Sequence, residues 1–307
     1  MRTNFLILPA VIALCVHAQK VVVTNDDGWA VAQIRAQYNA LKLGGFDVVL
    51  SAPAQDMSGT GSLSTDPIPL LIPCQYDSCP AGSPAVGSDP NDPRLNYVNA
   101  FPVDSARYGI KTLSPKFFGS QPDLVVSGPN TGCKRPGTSA PYEVDNGAAC
   151  EAGNEGIPAI AFSGQGATHV SFTTLETDPT SSATIAALTW AELTTDFVRT
   201  FFSAPAPFLP SGTVLNVNYP HLGNATSGCT EASDVGFVFT RVFPPLLPID
   251  VVTCGNKGKL PTEDDVKNSG RCLASVSVIS SKLKLDVGKD TQAKVLQGLS
   301  GLGFVCL

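Results

Sequence analysis

Residues 20–62 read KVVVTNDDGWAVAQIRAQYNALKLGGFDVVLSAPAQDMSGTGS. Val21, Val22 and Val23 form a β-branched run, as in a strand buried on both faces. Asn25, Asp26, Asp27 and Gly28 are turn residues and end it at once. Through 30–43, Ile34, Tyr38 and Leu41 recur at helical spacing, and Gly44-Gly45 closes that helix. Residues 47–51 (DVVLS) are a second short strand, running into the loop 52–62. Strand, helix and strand within about thirty residues make a βαβ unit, whose two strands are parallel.

The pattern repeats outward. Residues 123–127 (DLVVS), 159–163 (AIAFS) and 213–219 (TVLNVNY) are further apolar strands. A helix is expected over 181–202 with Ile185, Leu188, Leu193 and Phe197 inward. The segment 229–285 is richer in β patterns and turns, and 286–300 is expected to be a short helix. Apolar strands alternating with helices predict an α/β fold, a Rossmann-like, mostly parallel sheet with helices on both faces. The core would span about 20–220, with a β-rich C-terminal extension over about 221–307 in the same domain. Residues 66–97 hold seven prolines and two cysteines and show little periodicity. They are expected to form a long irregular excursion, either functional or merely decorative.

The 307 residues carry only 15% charged side chains and a net charge of -6. That acidity excludes a nucleic-acid binder held by a basic surface. Three histidines leave little room for chemistry built on several of them. His169 and His221 read as surface or loop residues.

Arg2, the apolar run 5–16 and the small residues Val16 and Ala18 form an export leader, expected to be cut after Ala18. The alternative is a buried first strand. The leader is too short to cross a bilayer, and no later stretch is apolar for long enough. An exported chain without membrane attachment is therefore expected. Removing the leader removes Cys15 and leaves Cys74, Cys79, Cys133, Cys150, Cys229, Cys254, Cys272 and Cys306. An even number in an exported chain reads as disulfides, and a structural zinc site is the weaker alternative because no CxxC occurs. Proximity along the chain suggests the pairs Cys74–Cys79, Cys133–Cys150, Cys229–Cys254 and Cys272–Cys306. Asn224-Ala225-Thr226 is a glycosylation sequon.

In an open parallel sheet, ligands bind at the carboxyl ends of the strands. Three such ends carry polar residues that can converge: 25–28 (NDDG), 58–62 (SGTGS) and 127–132 (SGPNTG). Two adjacent carboxylates are costly to hold together without a cation. A hard ion such as Mg²⁺ or Mn²⁺ with oxygen ligands removes that cost. Asp26, Asp27, Ser58 and Asn130 would form an oxygen-rich set. Asn25, Gly59, Ser127 and Gly128 would lie around the substrate. Such an ion can bind phosphate oxygens and acidify a water. No GxSxG, P-loop or Arg-His-Gly motif is present, and the Asp pair is not Asp-x-Asp. These absences leave serine hydrolases, NTPases, histidine acid phosphatases and haloacid-dehalogenase phosphatases without support.

The stretch 21–62, together with 122–132 (PDLVVSGPNTG), resembles the two signatures of the SurE family of 5′(3′)-nucleotidases and acid phosphatases. Weaker likeness continues through GIPAIAFSG, GTVLNVNYP and SVSVISSKLKLDV. The resemblance implies a metal-dependent phosphomonoesterase acting on small phosphate monoesters such as nucleoside monophosphates. It implies metal ligands at Asp26, Asp27, Ser58 and Asn130, with Asp26 and Asp27 catalytic. It also implies that the extension joins copies, so a homodimer is expected. Two positions depart from the family. Lys134 stands where a second Asn is usual, and Glu143-Val144-Asp145 stands where a Ser-Gly-Thr helps hold phosphate. Two acids there repel phosphate, while Lys134 and Arg135 could restore positive charge. The alternative is a secreted binding protein on this scaffold with an altered phosphate pocket.

Overall fold

The computed structural model describes residues 18–132, 147–222 and 229–307. Residues 1–17, which hold most of the expected leader, Cys133, Lys134, Arg135, residues 143–145 and the sequon at 224–226 lie outside them.

Strand β1 (Lys20–Thr24), helix α1 (Ala32–Leu43) and strand β2 (Asp47–Pro53) form the expected βαβ unit, with Val22 opposite Val49 in parallel register. The chain then enters the proline-rich excursion, pinned by Cys74–Cys79. It is not wholly irregular. It holds strands β3 (Val86–Ser88) and β4 (Leu95–Val98), and β4 joins the sheet parallel to β2. Helices α2 (Pro102–Tyr108) and α3 (Ser114–Phe118) lead to β5 (Leu124–Gly132). Helix α4 (Gly147–Asn154) precedes β6 (Ala159–Gln165). Helices α5 (Thr174–Thr177) and α6 (Ser182–Ser203) precede β7 (Thr213–Tyr219). The extension supplies β8 (Gly236–Thr240), α7 (Glu263–Asn268), β9 (Leu273–Ser280) and α8 (Lys289–Gly298).

The described strands form one nine-stranded sheet in the order β3-β4-β2-β1-β5-β6-β7-β9-β8. Pairing is parallel from β4 through β7. Strand β3 runs antiparallel to β4, β9 runs antiparallel to β7, and β8 is parallel to β9. The β-rich extension thus lengthens the same sheet.

The all-apolar strands are explained by two covered faces. Val21, Val23, Leu50, Leu124, Val126 and Phe162 pack with Ile34, Tyr38 and Leu41 of α1 and Trp190, Leu193 and Phe197 of α6. Val22, Val49, Val125, Ala159 and Ala161 face the opposite way, against Ile110, Leu113, Ala149 and Ala152. Alternate residues of one strand feed different cores. Helix α6 differs in phase from the expectation: Leu193 and Phe197 are buried, but Ile185 and Leu188 are about half exposed. The inward stripe runs instead through Ala186, Trp190, Leu193, Phe197 and Phe201, while Ala187 and Ala191 meet Ala32 and Ala36 of α1. Small residues there let the two helices approach closely.

Two of the four disulfides expected from proximity are replaced. Cys229 pairs with Cys272, and Cys254 pairs with Cys306. Gly236 lies opposite Leu273 in parallel register, so Cys229 and Cys272 precede strand starts that are neighbours in space. Cys150 is buried and has no disulfide partner among the described residues. Within the extension, the Arg241 guanidinium grips both Asp250 carboxylate oxygens at 2.8 Å and lies 3.3 Å from Asp286. No helix of the described residues is long and apolar enough to cross a membrane.

Candidate functional site

Strand β1 lies between β2, reached first, and β5, reached later on its other side. The chain therefore leaves β1 and β5 in opposite directions across the sheet, which opens a crevice at their carboxyl ends. The loop after β1 is closed by Asn25. Its Nδ2 donates to the Gly28 carbonyl at 3.1 Å, and its Oδ1 accepts from the Gly28 N–H at 3.2 Å. Both ends of that amide are spent on the turn, so Asn25 shapes the loop. Gly28, at φ +107°, has Gln75 packed where a Cβ would stand.

That turn aims Asp26 and Asp27 inward, 4% and 0% exposed. Asp26 Oδ2 accepts from Asn130 Nδ2 at 3.1 Å. Asp27 Oδ2 accepts from the Thr131 backbone N–H at 3.0 Å, and Asp27 Oδ1 accepts from Ser58 Oγ at 3.3 Å. The residues singled out on three separate loops therefore meet. Asn130 gets there through an irregularity in β5. Ser127 pairs with Ala161 but Asn130 pairs with Ser163, so β5 carries one extra residue, a bulge. Gly128 within it has φ +106°, and a Cβ there would overlap the Phe162 carbonyl oxygen. Ser127 is buried at the start of the same bulge. Gly59, at φ +76°, follows Ser58. The first residue of α4, Gly147, packs against the Gly61 carbonyl and brings that helix start up to the loop. Lys134 lies outside the described residues.

Two further residues enter the site. His169, read from the sequence as a surface or loop residue, reaches in from the loop after β6. Its Nε2 is 2.9 Å from Asp27 Oδ1, and its Nδ1 is 3.5 Å from Asp56 Oδ2. The approach to Asp27 is too oblique for a well-formed hydrogen bond. Asp56 accepts from both the Ser58 backbone N–H, at 2.9 Å, and Ser58 Oγ, at 2.7 Å. One sequence signal could have found His169: it follows a strand's carboxyl end, as do the other three segments.

Charge at the site follows from this packing. The contacts with Asp27 and Asp56 push His169 up to about 10, against its burial, so it is cationic at neutral pH. Burial works against Asp56 ionising, but His169 and Ser58 hold its carboxyl down at about 2. Burial raises Asp27 above the usual carboxylate range, and His169 only partly offsets this. Among the described contacts, His169 is the cationic side chain set against Asp27 and Asp56. Two buried carboxylates, a half-buried amide and an exposed hydroxyl form an all-oxygen set that fits a hard divalent cation open to solvent on one side. Among the described residues no group of three or more His, Cys, Asp or Glu suited to a metal is found. A set with only two carboxylates does not depend on such a group.

Fold and crevice define a Rossmann-like α/β protein with an acidic site at the sheet's switch point. The chain belongs to the SurE family: the model described as "Survival protein SurE" matches residues 21–242. It is 33% identical over 287 residues to an acid phosphatase of Yarrowia lipolytica, covering 85% of this chain and 79% of that protein. It is 31% identical over 203 residues to a 5′-nucleotidase SurE of Lawsonia intracellularis, covering 66% of each. The crystal structure of a SurE protein from Aquifex aeolicus matches with a TM-score of 0.55 at 22% identity, over 92% of this chain and 99% of that one. That likeness is one of fold.

Proposed function

We propose that this SurE-family hydrolase of phosphoric monoesters acts with a divalent cation, Mg²⁺ or Mn²⁺, and acts outside the cell. The observation that carries the reading is the convergence of Ser58 and Asn130 on the two buried, adjacent carboxylates of Asp26 and Asp27. Those four residues would hold the ion, which supplies positive charge for phosphate oxygens and a more acidic water. Asp26 or Asp27 accepts the proton of the water that attacks phosphorus. Asn130 and the Thr131 N–H hold the two carboxylates in place, and His169 limits the charge they accumulate. Gly59, with open space where a Cβ would stand, leaves room for a ligand against the backbone. Nucleoside monophosphates are the substrates suggested by the relatives' names. Three disulfides among the described residues, with the leader-like start, support an oxidising compartment.

The test is phosphate release from AMP and glycerol 2-phosphate by the disulfide-bonded protein, with and without Mg²⁺ or Mn²⁺, beside Asp26→Asn. Metal-dependent turnover lost in the variant is expected. Turnover unchanged in Asp26→Asn rejects the site. No turnover by folded wild-type protein with either metal rejects the enzyme and leaves a binding protein.

A further inference from the structure

The excursion does more than fill space between β2 and β4. Its disulfide-closed segment is fastened to the crevice rim. The Gln75 N–H donates to the Ala54 carbonyl at 3.0 Å, just past β2. The Gln75 side chain fills the space beside Gly28, next to Asp27, and lies close to Gln55. Gln55 Nε2 in turn donates to the Pro73 carbonyl at 2.5 Å. The Cys74 N–H donates to the Cys79 carbonyl at 2.8 Å within the same closed loop.

Tyr76 follows Gln75 on this anchored segment. Its backbone is left-handed, at φ 56°, ψ 31°, a conformation uncommon for an aromatic residue. Its side chain is 42% exposed although the core has abundant aromatic company. Burial first, and then the negative charges of Asp56 and Asp27, push its hydroxyl pKa up, which puts the side chain within the field of the acidic site. Leu71 and Ile72, also exposed, precede the disulfide on the same segment. The rim thus offers a half-open ring, rigidly based, beside a pocket whose floor is polar and acidic. A substrate with an anionic group and a flat apolar group matches that division.

We propose that Tyr76 is a specificity-determining residue: a planar aromatic ring carried by the leaving alcohol, such as the base of the nucleoside released from a nucleoside monophosphate, stacks on its ring while the phosphate lies at Asp26 and Asp27. This rests on the phosphomonoesterase reading. Stacking holds ground and transition states alike, so it acts mainly on KM. A base stacked on an aromatic side chain is typically worth about tenfold or more in binding.

The test compares kcat/KM for AMP, phenyl phosphate and glycerol 2-phosphate in wild-type protein, Tyr76→Phe, Tyr76→Ala and Tyr76→Asn. Asn suits the left-handed backbone, so it removes the ring without adding strain. The preference for AMP and phenyl phosphate over glycerol 2-phosphate should fall about tenfold in Tyr76→Ala and Tyr76→Asn, through KM, and survive in Tyr76→Phe. An unchanged preference in the ring-deleted variants, or none in wild type, overturns the proposal. If wild-type protein turns over no phosphomonoester, the functional reading fails separately. Equilibrium binding of AMP then decides: about tenfold weaker binding to Tyr76→Asn supports stacking, and equal affinity overturns it.

Discussion

His169 Nε2 stands 2.9 Å from Asp27 Oδ1, although the two residues leave different strands, β6 and β1. Asp27 has no exposure to solvent, so solvent cannot moderate its charge. A histidine side chain is the cationic group facing it among the described contacts, and it also faces Asp56. The arrangement sets one cation between two carboxylates of the folded chain.

Replacing His169 by Gln removes that charge and leaves Asp27 buried beside Asp56. Metal-free protein should lose about 2 kcal/mol of stability, less than the roughly 3–5 kcal/mol of a fully buried ion pair broken on one side, because His169 and Asp56 are part-exposed and screened. Mn²⁺ should recover part of it, because a ligand that binds only the folded chain stabilises it. Denaturant unfolding with and without MnCl₂ measures both, and a variant as stable as wild type without metal disproves the charge-balancing role.

Gly128→Ala should be among the most damaging substitutions in the sheet. The backbone is left-handed and the new methyl meets the Phe162 carbonyl, so a cost of about 3 kcal/mol or more is expected, with Asn130 displaced. Gly45→Ala is the control. It has φ +90° but open space around it, and should cost about 1 kcal/mol. Equal unfolding midpoints for the two variants would contradict the clash.

Glu263 in α7 accepts from Asn216 Nδ2 at 2.8 Å, yet burial pushes its carboxyl up to about 7. The folded chain therefore holds this proton more tightly than the unfolded chain. Glu263 favours the folded state fully below about pH 4.5, and that contribution is lost as pH rises toward 7, by about 3 kcal/mol in all. The difference in unfolding free energy between wild type and Glu263→Gln, followed from pH 4 to pH 8, isolates it. A pH-independent difference would show that Glu263 titrates normally.

Cys254–Cys306 closes a separation of 52 residues and Cys229–Cys272 one of 43. Each should stabilise by about 4 kcal/mol on chain-entropy grounds. Cys306→Ser should lower the unfolding free energy by that order. Peptide mapping under non-reducing conditions should recover these two links, and recovery of Cys229–Cys254 would refute the pairing.

Much of this was legible in the residues. Three valines ending in Asn-Asp-Asp-Gly announce a doubly covered strand and its polar end, because both signals are local. Asn130 was legible for the same reason. Strand β4 was not, since its four residues sit among prolines and turn residues and are a strand only by pairing with β2. The face of α6 was misjudged because Ile185 and Leu188 are apolar yet half exposed, whereas small Ala186 and Ala187 carry the contact. His169 and Asp56 carry no motif beyond their place after a strand's carboxyl end, and the meeting of the loops after β1, β2 and β6 gives them a role. Disulfide pairing depends on strand order, which chain proximity does not encode.

The single extra residue in β5 has an evolutionary consequence. A bulge bends its strand locally, so removing one residue between Ser127 and Asn130 would restore a regular ladder opposite Ala161 and Ser163 and take away the bend that carries Asn130 to Asp26. One lost codon could separate inheritance of the scaffold from inheritance of its chemistry. Descendants of such a chain would still be recognised by their valine-rich strands, long after Asp26 had lost its partner.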